Sequence, residues 1–372
     1  MDTRELACAL SLLALPLAGP GSLNRLVSAA GSAAAALELP ADTLDRLRLS
    51  PETVAGLRAL RGKPSAEGLR QCDWLEANDV SVIDRAHPGY PPMLSCIHRP
   101  PPLLFLRGPE ALLRSPQLAI VGSRRPTPSG RELAAELSYG LSKYGLTITS
   151  GLANGIDAAA HGGAIRACGG SIAVMGTGPD RVYPRANQRL ADDLLARGGA
   201  LLTEFPPGVP PDAPNFPRRN RVISGLSLGV LVVEAALPSG SLSTAQHALD
   251  QDREVMAVPG PVRSPTSRGC HELLRNGAAL IETPEDVVRA LGDRFKPAGQ
   301  PPPPSLGSTT PSVPRLDPVA QCVLAATDTA PCSIDMLVSR SGLSAAEVSV
   351  AVVQLELSGW LETVPAGVAR VR

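Results

Sequence analysis

A chain of 372 residues with 44% apolar and only 19% charged side chains has the material for two or three packed domains. Thirty-five basic and thirty-five acidic groups cancel, which excludes a uniformly basic nucleic-acid binder and confines any anion site to a local patch. No run approaches the roughly 20 apolar residues of a membrane span, and seven scattered cysteines without a Cys-x-x-Cys pair predict reduced thiols in a soluble, cytoplasmic protein.

In chain order, the Leu- and Ala-rich start up to Gly19 has the look of a signal-peptide core, but Asp2, Arg4 and Glu5 stand where a positive flank belongs. Residues 1–75 read as short helices broken at Gly19-Pro20-Gly21, Pro40, Ser50-Pro51 and Gly62-Lys63-Pro64, a small all-helical domain of the SAM or helix-hairpin-helix kind. Gly19-Pro20-Gly21 ahead of a helical run is an arrangement whose N–H groups can hold a DNA phosphate, and an ordinary interhelical turn accounts for it as well.

Residues 76–295 change character. Apolar runs at 103–106, 118–121, 146–149, 171–175, 200–203, 229–233 and 254–258 alternate with helical stretches at 129–144, 157–167, 186–197, 242–250 and 271–276. The alternation predicts an α/β fold with a doubly wound, mostly parallel, extended Rossmann-like sheet covered on both faces. Residues 296–314, with Pro301 to Pro304 followed by Ser, Gly and Thr, read as a Pro-rich linker. Beyond it, 315–372 reads as helices at 316–326, 333–340 and 344–358 and a hairpin of 360–364 and 368–371, a winged-helix domain. Its third helix carries Glu347 and Glu356 but no Lys or Arg, the only cations of the domain being Arg315, Arg340, Arg370 and Arg372. Specific duplex readout is therefore not expected of it.

Ligands of open α/β sheets sit beyond the carboxyl ends of the strands, where loops enter helix N-termini. Small residues gather at those ends here: Gly122-Ser123-Arg124, Ser150-Gly151-Leu152, Gly176-Thr177-Gly178, and Ser239-Gly240-Ser241 with Ser243-Thr244. Any one of these loops is explained by a tight turn; four in one sheet predict an anion cradle. The sharpest segment is Phe216-Pro217-Arg218-Arg219-Asn220-Arg221, which joins phosphate-binding guanidinium groups to a ring on which a base can stack. A solvated basic turn is the plain alternative. With aromatics at only 3%, affinity should come mainly from phosphates and weaken with salt.

Gly122-Ser123-Arg124 does not continue as Gly-x-Gly-x-x-Gly, and none of Lys63, Lys143 and Lys296 follows a phosphate-loop glycine pattern, so neither a nicotinamide cofactor nor an ATP motor is expected. Gly225-Leu226-Ser227-Leu228-Gly229 matches a nucleophile elbow in letters but lies between a helical and a strand pattern in the wrong order. His161 and Asp157 share a helical spacing that brings an acid and an imidazole together, or that leaves Asp157 as a helix cap. No grouping has zinc spacing, so no metal and no cofactor are expected.

The string Ile120-Val121-Gly122-Ser123-Arg124, then Ser150 to Asp157 with His161, Gly176-Thr177-Gly178, Tyr183-Pro184 and Asn187 resembles the DprA/Smf family. It continues through Glu204, Phe216 to Arg221, Glu234-Ala235, Ser239 to Leu242, Val258-Pro259-Gly260 and Gly277-Ala278, about half the chain. Trp74, Tyr90-Pro91 and Pro100 to Leu103 resemble the family's junction between helical module and core. The resemblance implies a DNA-processing protein of natural transformation and homologous recombination. Such a protein binds and protects incoming single-stranded DNA, loads the RecA recombinase and acts as a homodimer; the acidic winged helix leaves a protein contact or weak duplex binding for that domain, and no catalysis is expected. The resemblance places Gly122, Ser123, Arg124, Gly151, Phe216, Arg218, Asn220, Arg221, Gly240 and Ser241 in the strand-binding pocket, and the charge pattern adds Arg219.

Two other readings compete. A phosphoribohydrolase-like enzyme of related fold would carry Pro-Gly-Gly-x-Gly-Thr-x-x-Glu; aligned on Thr244 only Gly240 also matches, and His247 stands at the catalytic acid. A winged-helix transcription regulator would need a duplex-reading helix that the acidic third helix does not supply.

Overall fold

The computed structural model describes residues 2–297, 317–327, 331–358, 360–364 and 367–370. The expected linker lies almost wholly outside the described residues, as do Arg315, Arg372 and the Pro365-Ala366 turn. The chain divides into two compact units, 1–300 and 301–372.

The first unit begins with α1 (Thr3–Leu13), α2 (Pro20–Ala30), α3 (Ala33–Ala36), α4 (Ala41–Arg46), α5 (Pro51–Ala59) and α6 (Ala66–Ala77). Each sequence break is a helix start. Ser50 and Ser65 accept N–H bonds from the first turns of α5 and α6, and Gly19 and Pro40 precede α2 and α4 without a side-chain cap. The signal-like run is α1, whose Ala7, Leu10 and Leu12 are fully buried. They form one core with Leu26, Leu44 and Leu57, and that core is closed by Leu103 and Phe105 from the sheet. Burying a Leu or Phe side chain contributes about 1.5–3 kcal/mol, so the helices are held against the sheet.

The sheet has nine strands: β1 (Ser81–Asp84), β2 (Leu103–Arg107), β3 (Gln117–Val121), β4 (Thr147–Ser150), β5 (Ser171–Val174), β6 (Ala200–Thr203), β7 (Gly229–Val232), β8 (Glu254–Ala257) and β9 (Ala279–Leu280). Their order is β1-β2-β6-β5-β4-β3-β7-β8-β9. The strands from β6 to β9 run parallel, while β2 pairs antiparallel with both β6 and β1. This is the doubly wound sheet the alternation predicts. β1 and β9, absent from the sequence reading, lie at its two edges.

Helices α7 (Pro92–Ser95), α8 (Pro128–Lys143), α9 (Ile156–Arg166), α10 (Gln188–Ala196), α11 (Asn215–Leu226), α12 (Gly240–Asp250), α13 (Arg268–Arg275) and α14 (Pro284–Leu291) cover the faces. Alternate β3 residues serve opposite cores. Ala119 and Val121 pack with Val222 and Ile223 of α11, and Leu118 and Ile120 pack with Leu137 of α8 and Ala160 of α9.

The second unit holds α15 (Pro318–Ala326), α16 (Ile334–Ser341), α17 (Ala345–Leu357), β10 (Leu361–Val364) and β11 (Gly367–Arg370). Gly342, at φ +69°, ends α16 in the left-handed conformation that favours glycine, and Ser344 with Glu347 makes a capping box on α17. Three helices and a β10–β11 hairpin around Leu337, Val348, Leu355 and Val368 are the expected winged helix. Among the described residues no single helix is long and apolar enough to cross a membrane.

Candidate nucleic-acid interface

The chain winds outward from β3 through β4 and β5 to β6, then returns to β7 on the other side of β3. The switch point therefore lies between β3 and β7, the place where an open α/β sheet offers a crevice. Gly122, Ser123 and Arg124 leave β3 there, and Glu234 leads from β7 toward Gly240 and Ser241.

Glu234 ties the two loops. Its carboxylate accepts from the Thr127 N–H (3.0 Å) and hydroxyl (2.6 Å) at the start of α8. Gly122 is needed for the close approach, since a Cβ there would lie 2.7 Å from Ile156 Cγ1 and 2.9 Å from the Glu234 carbonyl. The Ser123 carbonyl accepts the Ile156 N–H at 3.1 Å, which folds the β3 loop onto α9. Arg124 is left exposed, its guanidinium carbon 5.9 Å from the centroid of the Phe216 ring.

Phe216 to Arg221 is not the solvated turn of the plain alternative but the first half of α11. Pro217 falls in the first turn, where its missing N–H is not needed. The helix separates residues that look alike in the sequence. Phe216 lies against Gly176, where a Cβ would sit 2.8 Å from the ring, and its centroid is 5.5 Å from that of exposed Tyr183. Arg218 and Arg221 both donate to Glu204 Oε2, at 3.3 and 2.5 Å, and the Arg218 guanidinium lies 4.8 Å from the Phe205 ring.

Arg219 departs from the expectation of phosphate contact: it is buried, 4% exposed. Its Nη1 donates to the carbonyls of Val174 and, at 2.6 Å, Gly151, so it clasps the ends of β5 and β4. Gly151 is correspondingly a packing glycine, since a Cβ there would lie 2.4 Å from that nitrogen. Asn220 is also turned inward and donates to the Gly240 carbonyl (3.2 Å) and Ser243 Oγ (2.9 Å), holding the start of α12. Ser241 is buried, with its N–H and hydroxyl on Ser239 Oγ, while Gly240 is exposed. Of the residues expected in one cradle, Arg124 and Phe216 thus form an open surface, Arg218 and Arg221 a second cationic group, and Gly122, Gly151, Arg219 and Asn220 the frame beneath. Tyr183, which the sequence marks only through the family resemblance, joins the surface; a ring following the Gly176-Thr177-Gly178 loop is the signal for it.

Asp157 does not cap its own helix, which begins after Gly155; its Oδ2 accepts the N–H groups of Gly151 (3.1 Å) and Ala153 (3.3 Å). Burial pushes its carboxyl up, opposed by Arg219, whose guanidinium burial pushes down to about 10. His161 is fully buried. Ser171 Oγ donates to the Ile148 carbonyl (3.0 Å), so it accepts from His161 Nδ1–H (2.7 Å). Burial, helped by Arg219, lowers the imidazole pKa to about 3, which keeps the ring neutral. Because the unfolded imidazole titrates near 6.5, stability is complete above that pH and falls as pH drops toward the folded value. Urea unfolding at pH 6.5 and 4.5 should therefore show up to about 2.7 kcal/mol less acid sensitivity in His161→Gln than in the unaltered chain. Parallel curves would contradict the assignment.

Among the described residues no three His, Cys, Asp or Glu side chains come together as a metal site. An extended Rossmann-like sheet with a winged helix, presenting rings and guanidinium groups beyond the carboxyl ends of β3 and β5, has the chemistry of α/β proteins that handle nucleic acids. Residues 81–292 match the family model described as DNA recombination-mediator protein A, and 301–367 match the DprA winged helix domain. The chain is a member of the DprA/Smf family of DNA-processing proteins.

It is 44% identical over 299 residues to Protein Smf of Escherichia coli K12, covering 80% of this chain and 79% of the relative. With DNA processing protein DprA of Streptococcus pneumoniae it shares 44% over 208 residues, 56% of this chain and 72% of the relative. The X-ray structure of the S. pneumoniae protein superposes with TM-score 0.67 at 33% identity, covering 78% of this chain and 98% of that one. DNA processing protein A of Helicobacter pylori, whose structure was described for its single-stranded DNA binding mode, gives TM-score 0.53 at 29% identity, over 58% and 97% of the two chains.

Proposed function

We propose that this chain binds single-stranded DNA beyond the carboxyl ends of β3 and β5, beside the β3–β7 switch point, and delivers it to a RecA-type recombinase as a homodimer, without chemistry of its own. The observation that carries the reading is the pair of rings, exposed Tyr183 and half-buried Phe216, beside the exposed Arg124. Rings stack any base and a guanidinium takes its phosphate, a combination that suits a single strand of any sequence. The recombination-mediator family and the H. pylori relative's single-strand binding support it. The binding domain is taken as residues 76–295, with the helical domain 1–75 before it and the linker 296–314 and winged-helix domain 315–372 after it.

Fluorescence anisotropy with single-stranded and duplex oligonucleotides over a salt series tests this, the full chain being run beside one ending at Phe295. Strong single-strand preference in both is the expected result; binding lost with the winged helix would favour a duplex-reading regulator. In the same series Arg124→Ala should flatten the salt slope by about 0.7. An unchanged slope would remove Arg124 from the interface.

A further inference from the structure

A second concavity of the first unit lies away from the ring surface. An open cleft of about 920 Å³ lies between the helical module and the α11–α12 side of the sheet. Arg25 and the Gly19-Pro20-Gly21 start of α2 line one side, His98 and Arg99 another, and Arg218, Arg221 and Asp250 are on the sheet side. Four arginines in the lining face only Asp250 there and Glu204 behind Arg218 and Arg221, an excess of two positive charges on a chain whose net charge is zero.

Arg25 and Arg99 are exposed and, among the described residues, make no ion pair, the Arg25 guanidinium having Ser22 Oγ at 3.5 Å as its polar contact there. Arg99 is held at φ +58°, a left-handed conformation that an arginine rarely adopts, and Arg221 Nη1 anchors its carbonyl at 2.8 Å. The walls are fixed. Asn24 Nδ2 reaches the Pro100 carbonyl (3.5 Å), Gln71 Nε2 the Pro207 carbonyl (2.8 Å), and the helical core closes on Leu103 and Phe105. Gly19 begins α2 without a side-chain cap, so the positive end of that helix adds to the same field.

The geometry points to this cleft as a second phosphate-binding site, in which the helical module clamps the backbone of the strand whose bases stack on Phe216 and Tyr183. The inference rests on the proposed single-strand binding. Helix α11 joins the two places: Phe216 opens it toward the rings, and Arg218 and Arg221 carry it to the cleft. The cleft is open and holds no Phe, Tyr or Trp, which suits phosphodiesters; a free nucleotide would need a surface for its base.

The test uses the full chain and the double variant Arg25→Gln with Arg99→Gln, its melting temperature checked against the unaltered chain, and anisotropy with a long and a very short oligonucleotide. Two lost phosphate contacts should flatten the salt slope for the long strand by about 1.4 and weaken it about 25-fold at 0.1 M salt, a factor of about five per contact. The short strand, filling only the ring surface, should bind unchanged. Phe216→Ala is the control for the underlying reading, since it should weaken both lengths. If Phe216→Ala weakens both and the double variant weakens neither, the cleft is not part of the strand's path. Calorimetry with deoxyadenosine monophosphate separates the remaining source: binding of the nucleotide that the double variant abolishes, with long-strand binding intact, would overturn the strand as occupant.

Discussion

Replacing Arg219 by methionine is expected to lower the stability of the first unit by about 3–5 kcal/mol, the cost of removing one partner from a buried charged network. The side chain has nearly the right volume, so the loss is polar. The carbonyls of Gly151 and Val174 lose their donor, and Asp157 is left buried without the cation that opposes its desolvation. At about 2–4 °C per kcal/mol for a unit of this size, the melting temperature should fall by roughly 6–20 °C. Arg219→Met combined with Asp157→Asn should recover part of the loss, because the stranded carboxylate is gone, and a double-mutant cycle would return a coupling of about 0.5–3 kcal/mol. A melting temperature within a degree or two of the unaltered chain would mean that the guanidinium is not spent on the frame, and would return it to the list of phosphate ligands.

That expectation differs from the one the sequence invites, and the reason is helical phase. Arg218, Arg219 and Arg221 are alike in composition, and the segment reads as a turn as long as Pro217 is taken for a helix breaker. Once Pro217 is placed in a first turn, Arg219 falls on the face of Val222 and Ile223, both buried, so the periodicity of the apolar residues was the signal that it points inward. The central parallel strands were legible because burial on both faces writes them as unbroken apolar runs, as in Leu118 to Val121. β1 escaped notice because an edge strand of four residues, Ser81–Asp84, carries one fully buried side chain, and β9 because two residues carry no pattern. The cleft against α2 was beyond reach for another reason: Arg25, Arg99 and Arg221 are scattered through the sequence, and only the docking of the helices on β2 brings them together.

Tyr183→Ala combined with Phe216→Ala should remove most single-strand binding while leaving the fold intact. Tyr183 has 47% of its area exposed and Phe216 is half-buried against Gly176, and neither belongs to the cores on which the sheet rests. A stacked base contributes about 1–3 kcal/mol per ring, so the pair should weaken binding by about 2–6 kcal/mol, from some thirtyfold to more than ten-thousandfold at about 1.4 kcal/mol per decade. Base identity should matter little, since every base offers a ring face, and the salt slope should stay unchanged because no phosphate contact is lost, in contrast to Arg124→Ala. The two readouts separate the roles: affinity lost at constant slope assigns the rings to bases, while a slope that flattens with the rings would mean that they act by positioning Arg124, whose guanidinium sits 5.9 Å from the Phe216 centroid. Unchanged affinity in the double variant would place the strand elsewhere on the molecule and remove the ring surface from its path.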